Sequence, residues 1–171
     1  TGEEAVVPFL LPNGPEVPIA LTVTRIEEGD IADLADFEIP PEAEDAQPYY
    51  VHYSYTNLGE EDLSSYQVAG FVGIVEDGEA VMPSMTMGGA APFEKCRSEA
   101  AADMTNGATH EGCVMFLLDA DAELTAAGYR GNYRFEEGKD TETAFPIYYD
   151  PVRWTAEAGS APKGKIIPPS S

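Results

Sequence analysis

The most unusual local pattern in the chain is a set of closely spaced methionines, Met82-x-x-Met85-x-Met87. Thioethers are soft ligands that select Cu(I), so such spacing can hold that ion when histidine lies near. In an extended strand Met85 and Met87 share one face and Met82 points to the other. The same residues suit an irregular core or an edge loop, because Met is unbranched and adaptable. Pro83 and Gly88-Gly89 favour that plainer use. Copper binding through Met82, Met85 and Met87 is therefore an alternative reading, and no cofactor is assigned.

Cys96 and Cys113 are the two cysteines, and His52 and His110 the two histidines. An even cysteine count in a small acidic domain suits a disulfide formed outside the cytoplasm. Closing a loop of this size stabilises by about 3 kcal/mol on the chain-entropy account. Two reduced thiols in a cytosolic protein are the alternative, and the spacing matches no zinc pattern. A nucleophilic triad needs a base, almost always His. His52 reads as a mid-strand residue on a Ser/Thr face and His110 as part of a turn, and neither lies near a nucleophile elbow. No catalytic residue is assigned. With 31 Asp+Glu, two neighbouring carboxylates carry no information. Asp119-Ala-Asp121-Ala-Glu123 could present oxygens to Ca²⁺, but it lacks the glycine and ligand spacing of an EF-hand loop and reads as a solvated turn.

These residues sit among segments with the period of strands. Ile19, Leu21 and Val23 share one face, with Thr22 and Thr24 opposite. Tyr49, Val51, Tyr53 and Tyr55 form the clearest alternation and are expected to face a core. Tyr50 and His52, pointing the other way, are the candidate binding surface. Asn57-Leu58-Gly59 ends that run with turn chemistry, and Asp77-Gly78 marks a hairpin. Cys113 to Leu118 is apolar on both faces, as in a central strand. Tyr129, Gly131, Tyr133 and Phe135 alternate again, and Phe145 to Trp154 reads as a last strand kept to an edge by Pro146 and Pro151. Short helical turns are expected at Ile31 to Phe37 and Ser98 to Met104. Six to eight short strands of this kind predict an antiparallel β-sandwich over residues 16–155. Residues 1–15 read as an N-terminal tail, although Val6, Val7, Phe9, Leu10 and Leu11 are a cluster suited to packing. Residues 156–171 read as a C-terminal tail.

Nine Lys+Arg against 31 Asp+Glu give a net charge of −22. Nine cations spread along the chain cannot neutralise a run of phosphates, which excludes a nucleic-acid partner and an anionic lipid surface. No apolar run approaches the length of a membrane-spanning helix. The chain opens at Thr1 with no cationic and apolar leader, which predicts a processed protein whose targeting segment has been removed.

Three stretches in order carry a resemblance: PYYVHYSYTNLGEEDL, FVGIVEDGEAV and CRSEAAADMTNGATHEGCVMFLL, closed by PVRW. The chain resembles a family of secreted or lipid-anchored immunoglobulin-like domains of unknown function from actinobacteria and other Gram-positive bacteria. More loosely, it is similar to mycobacterial secreted immunogenic antigens. The resemblance implies an immunoglobulin-like sandwich, export to the cell surface or medium with a lipid anchor as one mode of attachment, and a Cys96–Cys113 bridge. It supplies no catalytic residues. The expectation is a non-catalytic module that binds a protein or cell-envelope partner.

Overall fold

Alternating β-branched and aromatic residues build two antiparallel four-stranded sheets in the computed structural model, which describes residues 1–11, 14–37, 39, 41–84, 93–97, 99–131 and 152–156. The strands are β1 (Glu4–Leu10), β2 (Glu16–Glu28), β3 (Gln47–Asn57), β4 (Phe71–Val75), β5 (Ala80–Val81), β6 (Thr109–Leu118), β7 (Leu124–Tyr129) and β8 (Val152–Thr155). Three 3-10 turns accompany them: η1 (Ile31–Leu34), η2 (Pro41–Ala43) and η3 (Glu94–Cys96). One sheet has the order β1-β2-β3-β6 and the other β5-β4-β7-β8. The chain thus changes sheet between β3 and β4 and twice more, which is a Greek-key arrangement. Taking β2 to β8 as strands A, B, C, C′, E, F and G gives sheets A-B-E and C′-C-F-G, the immunoglobulin-like order. Its bridge differs from that of antibody domains. Cys96–Cys113 ties a loop to β6 within one sheet instead of joining the two sheets.

The core lies between the sheets. Tyr49, Val51, Tyr53 and Tyr55 all face it, as their period requires. Tyr53 meets Phe71 at a ring-centroid distance of 4.7 Å, and Phe71 meets Tyr129 at 5.7 Å. Such aromatic pairs add about 0.5–1.5 kcal/mol each beyond their buried area. A register shift between Val23 and Arg25 turns Arg25 outward and brings Ile26 to the core side, opposite Val51. At the hairpin tip Gly78 has φ 85, its N–H donates to the Val75 carbonyl at 2.9 Å, and the Asp77 carboxylate accepts from Glu79 N–H at 2.8 Å. A left-handed residue closing a type I turn is the geometry that selects Asp-Gly.

Several expectations need correction. Residues 4–10 belong to the sheet as β1, with Phe9 and Val7 in the core. Two side chains of the opposite sheet reach this strand: Trp154 Nε1 donates to the Glu3 carbonyl at 2.8 Å and the Tyr129 hydroxyl to that of Pro8 at 3.1 Å. β6 lies at the end of its sheet, not the centre. It is apolar on both faces because η3 covers the outer one. The helical turn expected at Ser98 to Met104 is absent from the described residues 99–104, a 3-10 turn lies instead at η3 just before the loop, and His110 is in β6. Residues 132–151 and 157–171, which hold the expectations for Tyr133, Phe135, the start of the last strand and the C-terminal tail, lie outside the described residues.

Candidate functional site

The outer face of the β1-β2-β3-β6 sheet carries Tyr50, His52, Ser54 and Thr56 from β3. Arg25 and Glu27 of β2, and Cys113 and Met115 of β6, lie opposite them. Half of this face is roofed. Leu34 of η1, Cys96 of η3, Phe37 and Phe93 pack over Tyr50, Cys113 and Met115 as a second apolar cluster. Phe93 sits 5.4 Å from the Tyr50 ring and 5.5 Å from that of Phe37. Tyr50 is only 1% exposed, so it is not a surface residue as the alternation suggested. Period 2 tells which side of a strand a residue faces, not what covers that side.

Asp33 pins the roof. Its carboxylate accepts from Lys95 Nζ at 2.6 Å, from the Tyr50 hydroxyl at 3.2 Å and from Asp30 N–H at 3.1 Å. The Asp30 side chain in turn accepts from Ala32 N–H at 2.9 Å and from the Asp33 backbone N–H, so that Asp30 and Asp33 form a capping box at η1. The Lys95 ammonium, aided by the Asp30 N–H, holds the Asp33 carboxyl below its ordinary value. Burial, with Asp33 beside it, raises the Tyr50 hydroxyl well above its ordinary range. Gly29 is required here, because a Cβ would come within 2.5 Å of the Tyr50 ring.

His52 stands at the rim of the roof. Its Nε2 lies 3.0 Å from an Arg25 guanidinium nitrogen, which can only donate, so Nε2 is the acceptor and the ring is neutral with its proton on Nδ1. Burial, followed by the positive charge of Arg25, lowers its pKa, against smaller opposing effects of Glu27 and Glu111. His110 Nε2 donates to the Glu99 carbonyl at 2.9 Å. Both histidines line a polar cleft of about 330 Å³ with Glu94, Lys95, Arg97, Glu99, Glu111 and Gly112. Gly112 lets Tyr53 approach the strand, since a Cβ there would meet the ring at 2.5 Å.

His52 Nε2 thus accepts from Arg25, while His110 Nε2 donates to a carbonyl and leaves its acceptor nitrogen at Nδ1. Among the described residues no group of three His, Cys, Asp or Glu side chains is placed to hold a metal ion. Met82 is 54% exposed, whereas Met104 is in the main core and Met115 under the roof. Met85 and Met87 lie outside the described residues. Asp121 and Glu123 meet Glu76 and Asp77 of the hairpin tip around an open acidic hollow at the far end of the sandwich.

The structure thus brings His52 together with Cys113, its cross-strand neighbour, and with His110 across the cleft. The sequence reading did not find Asp33, Lys95 or Arg25. Asp30-x-x-Asp33 before an apolar residue is a legible cap, but nothing in the chain pairs Asp33 with a lysine in a distant loop. Among the described residues no helix is long and apolar enough to cross a membrane. No family model, no curated protein and no solved structure matches the chain.

Proposed function

We propose that this protein is a non-catalytic binding module, exported to the cell surface or the medium, of the immunoglobulin-like type that its sequence resembles. The observation that carries the reading is the roofed outer face. A disulfide, an Asp33–Lys95 ion pair and an aromatic cluster hold a loop over one sheet, and among the described residues the cleft beside it is lined by His, Lys, Arg, Glu and Gly, with no Ser, Thr or Cys. A rigid scaffold that presents a loop rim is how sandwich domains bind partners. The bridge supports export, because disulfides persist in oxidising compartments. The net charge of −22 keeps copies apart and speeds encounter with cationic partners.

The test is a photo-crosslinking side chain placed at Arg97, on the cleft, and in a second protein at Asp77, on the opposite end. Irradiation on intact producing cells should give one discrete adduct from Arg97 and none from Asp77. Adducts from both positions, or from neither, would overturn the reading. Recovery of the protein with two alkylatable thiols from those cells would overturn export.

A further inference from the structure

Two separate requirements meet in the turn that leads into β6. The turn runs from Thr105 to Ala108 and is closed by Ala108 N–H on the Thr105 carbonyl at 2.9 Å. Its third residue, Gly107, has φ 82. A Cβ there would meet nothing within 4 Å, so the left-handed backbone selects glycine, not lack of space. The residue before it answers a different need. Asn106 Nδ2 donates to the Gly59 carbonyl at 2.8 Å and ties this turn to the loop that follows β3. Together they place Asn-Gly at an exposed tip. In that dipeptide no Cβ hinders the second residue's nitrogen from approaching the side-chain amide of the first.

The chemistry open to such a pair is intramolecular and needs only base and water. The Gly107 nitrogen gives up its proton and bonds to Cγ of Asn106. The Cγ–Nδ2 bond breaks, and Nδ2 takes a proton from solvent and leaves as ammonia. Water then opens the cyclic imide at either carbonyl, giving aspartate or isoaspartate.

In the fold the attacking nitrogen is occupied. Gly107 N–H donates to the Asn57 carbonyl at 2.8 Å, and Asn57 N–H donates to the Ala108 carbonyl at 3.0 Å. The turn is thus zipped to the last residue of β3. The buried Asn57 side chain also holds the Met104 carbonyl, two residues before Asn106, at 2.7 Å. Taking the proton from Gly107 would break the first of these bonds and set a negative nitrogen against a carbonyl oxygen.

We propose that Asn106 is a modification site held shut by the fold, deamidated through the Gly107 nitrogen only when the turn lifts from Asn57. The change runs one way. Either product is an acid that, once ionised, cannot donate to the Gly59 carbonyl, and it adds a negative charge to a chain already at −22. Isoaspartate also lengthens the backbone of the turn by a methylene. Each opening that reacts therefore leaves the turn less able to close.

The test follows the mass of the proteolytic peptide holding Asn106 over time at mildly alkaline pH, in the folded, bridged protein and in the same chain in urea. Asn13-Gly14 is the same dipeptide and gives the intrinsic rate in the unfolded chain. Asn106 should convert at a similar rate to Asn13 in urea and at least tenfold more slowly in the fold. That slowing should match, within about threefold, the protection of the Gly107 amide against hydrogen exchange, because both reactions need its N–H released from Asn57. Asn106→Asp stands in for the aspartate product. Its Gly107 amide should exchange several-fold faster than the parent's, in a protein whose circular dichroism is unchanged. Equal conversion in the fold and in urea, slowing that bears no relation to Gly107 protection, or full protection of Gly107 in Asn106→Asp would overturn the proposal. The first two comparisons use the unaltered chain and decide the matter even where the variant does not fold.

Discussion

Asn57 is the one polar side chain recorded at 0% exposure among the described residues, and its amide is fully used. Its Nδ2 donates to the Glu61 and Met104 carbonyls, each at 2.7 Å, and its Oδ1 accepts from Gly59 N–H at 2.9 Å. One amide thus fastens the end of β3 to the loop that follows Cys96. Asn57→Leu leaves two carbonyls and one N–H unmet and should cost about 3 kcal/mol in urea unfolding. Asn57→Asp should cost more, because a carboxylate cannot donate to either carbonyl. The residue was legible in the sequence only as turn chemistry, since one of its partners, the Met104 carbonyl, comes from a loop 47 positions away. At His52 the direction of the pH effect is fixed by burial and by Arg25. Its pKa in the fold lies below the ordinary 6.5, so the unfolded chain binds the proton more readily and stability falls as pH drops below that value. The facing charges are Arg25, Glu27 and Glu111. Arg25→Gln should raise the midpoint of the His52 ring titration followed by NMR; an unchanged midpoint would show that burial alone sets it.

At the scale of elements, what was readable followed from period and turn chemistry. The tyrosine face of β3 and the Asp77-Gly78 hairpin form where alternation and positive φ demand them. What was not readable came from contacts between distant segments. β1 was expected as part of a tail because the first residues mix Pro, Gly and Glu without a sustained period. Yet Gly14 N–H closes a turn on the Leu11 carbonyl at 3.1 Å, and the Pro-Asn-Gly-Pro sequence there is a turn signal that could have exposed the hairpin. Cys113 to Leu118 looked central because a roof, invisible in sequence, buries its second face. That roof depends on the bridge. Cys96→Ser with Cys113→Ser should cost about 3 kcal/mol of stability through loop entropy. Hydrogen exchange should rise first in η1 and η3, while β2 and β3 keep their protection. Uniform loss across the sheet would mean that the roof and the sandwich unfold as one unit.

For the whole molecule, 31 acids against nine bases leave a charge of −22 that opposes compaction. Screening should therefore stabilise the fold. Raising NaCl from 10 to 300 mM should increase Tm, by about 2–4 °C for each kcal/mol of repulsion relieved, with no change in sedimenting mass. A Tm that falls with salt would show that the ion pairs of the roof outweigh the global repulsion. One further geometry acts at this scale. The Thr1 amino group donates to the Thr155 carbonyl at 3.1 Å, beside the Trp154 indole that holds the Glu3 carbonyl. Positions 1 and 155 therefore meet at one end of the sandwich. A short peptide joining them would close the sandwich into a ring. Spliced into a surface loop of another protein at this pair of positions, the domain would occupy little more span than a tight turn.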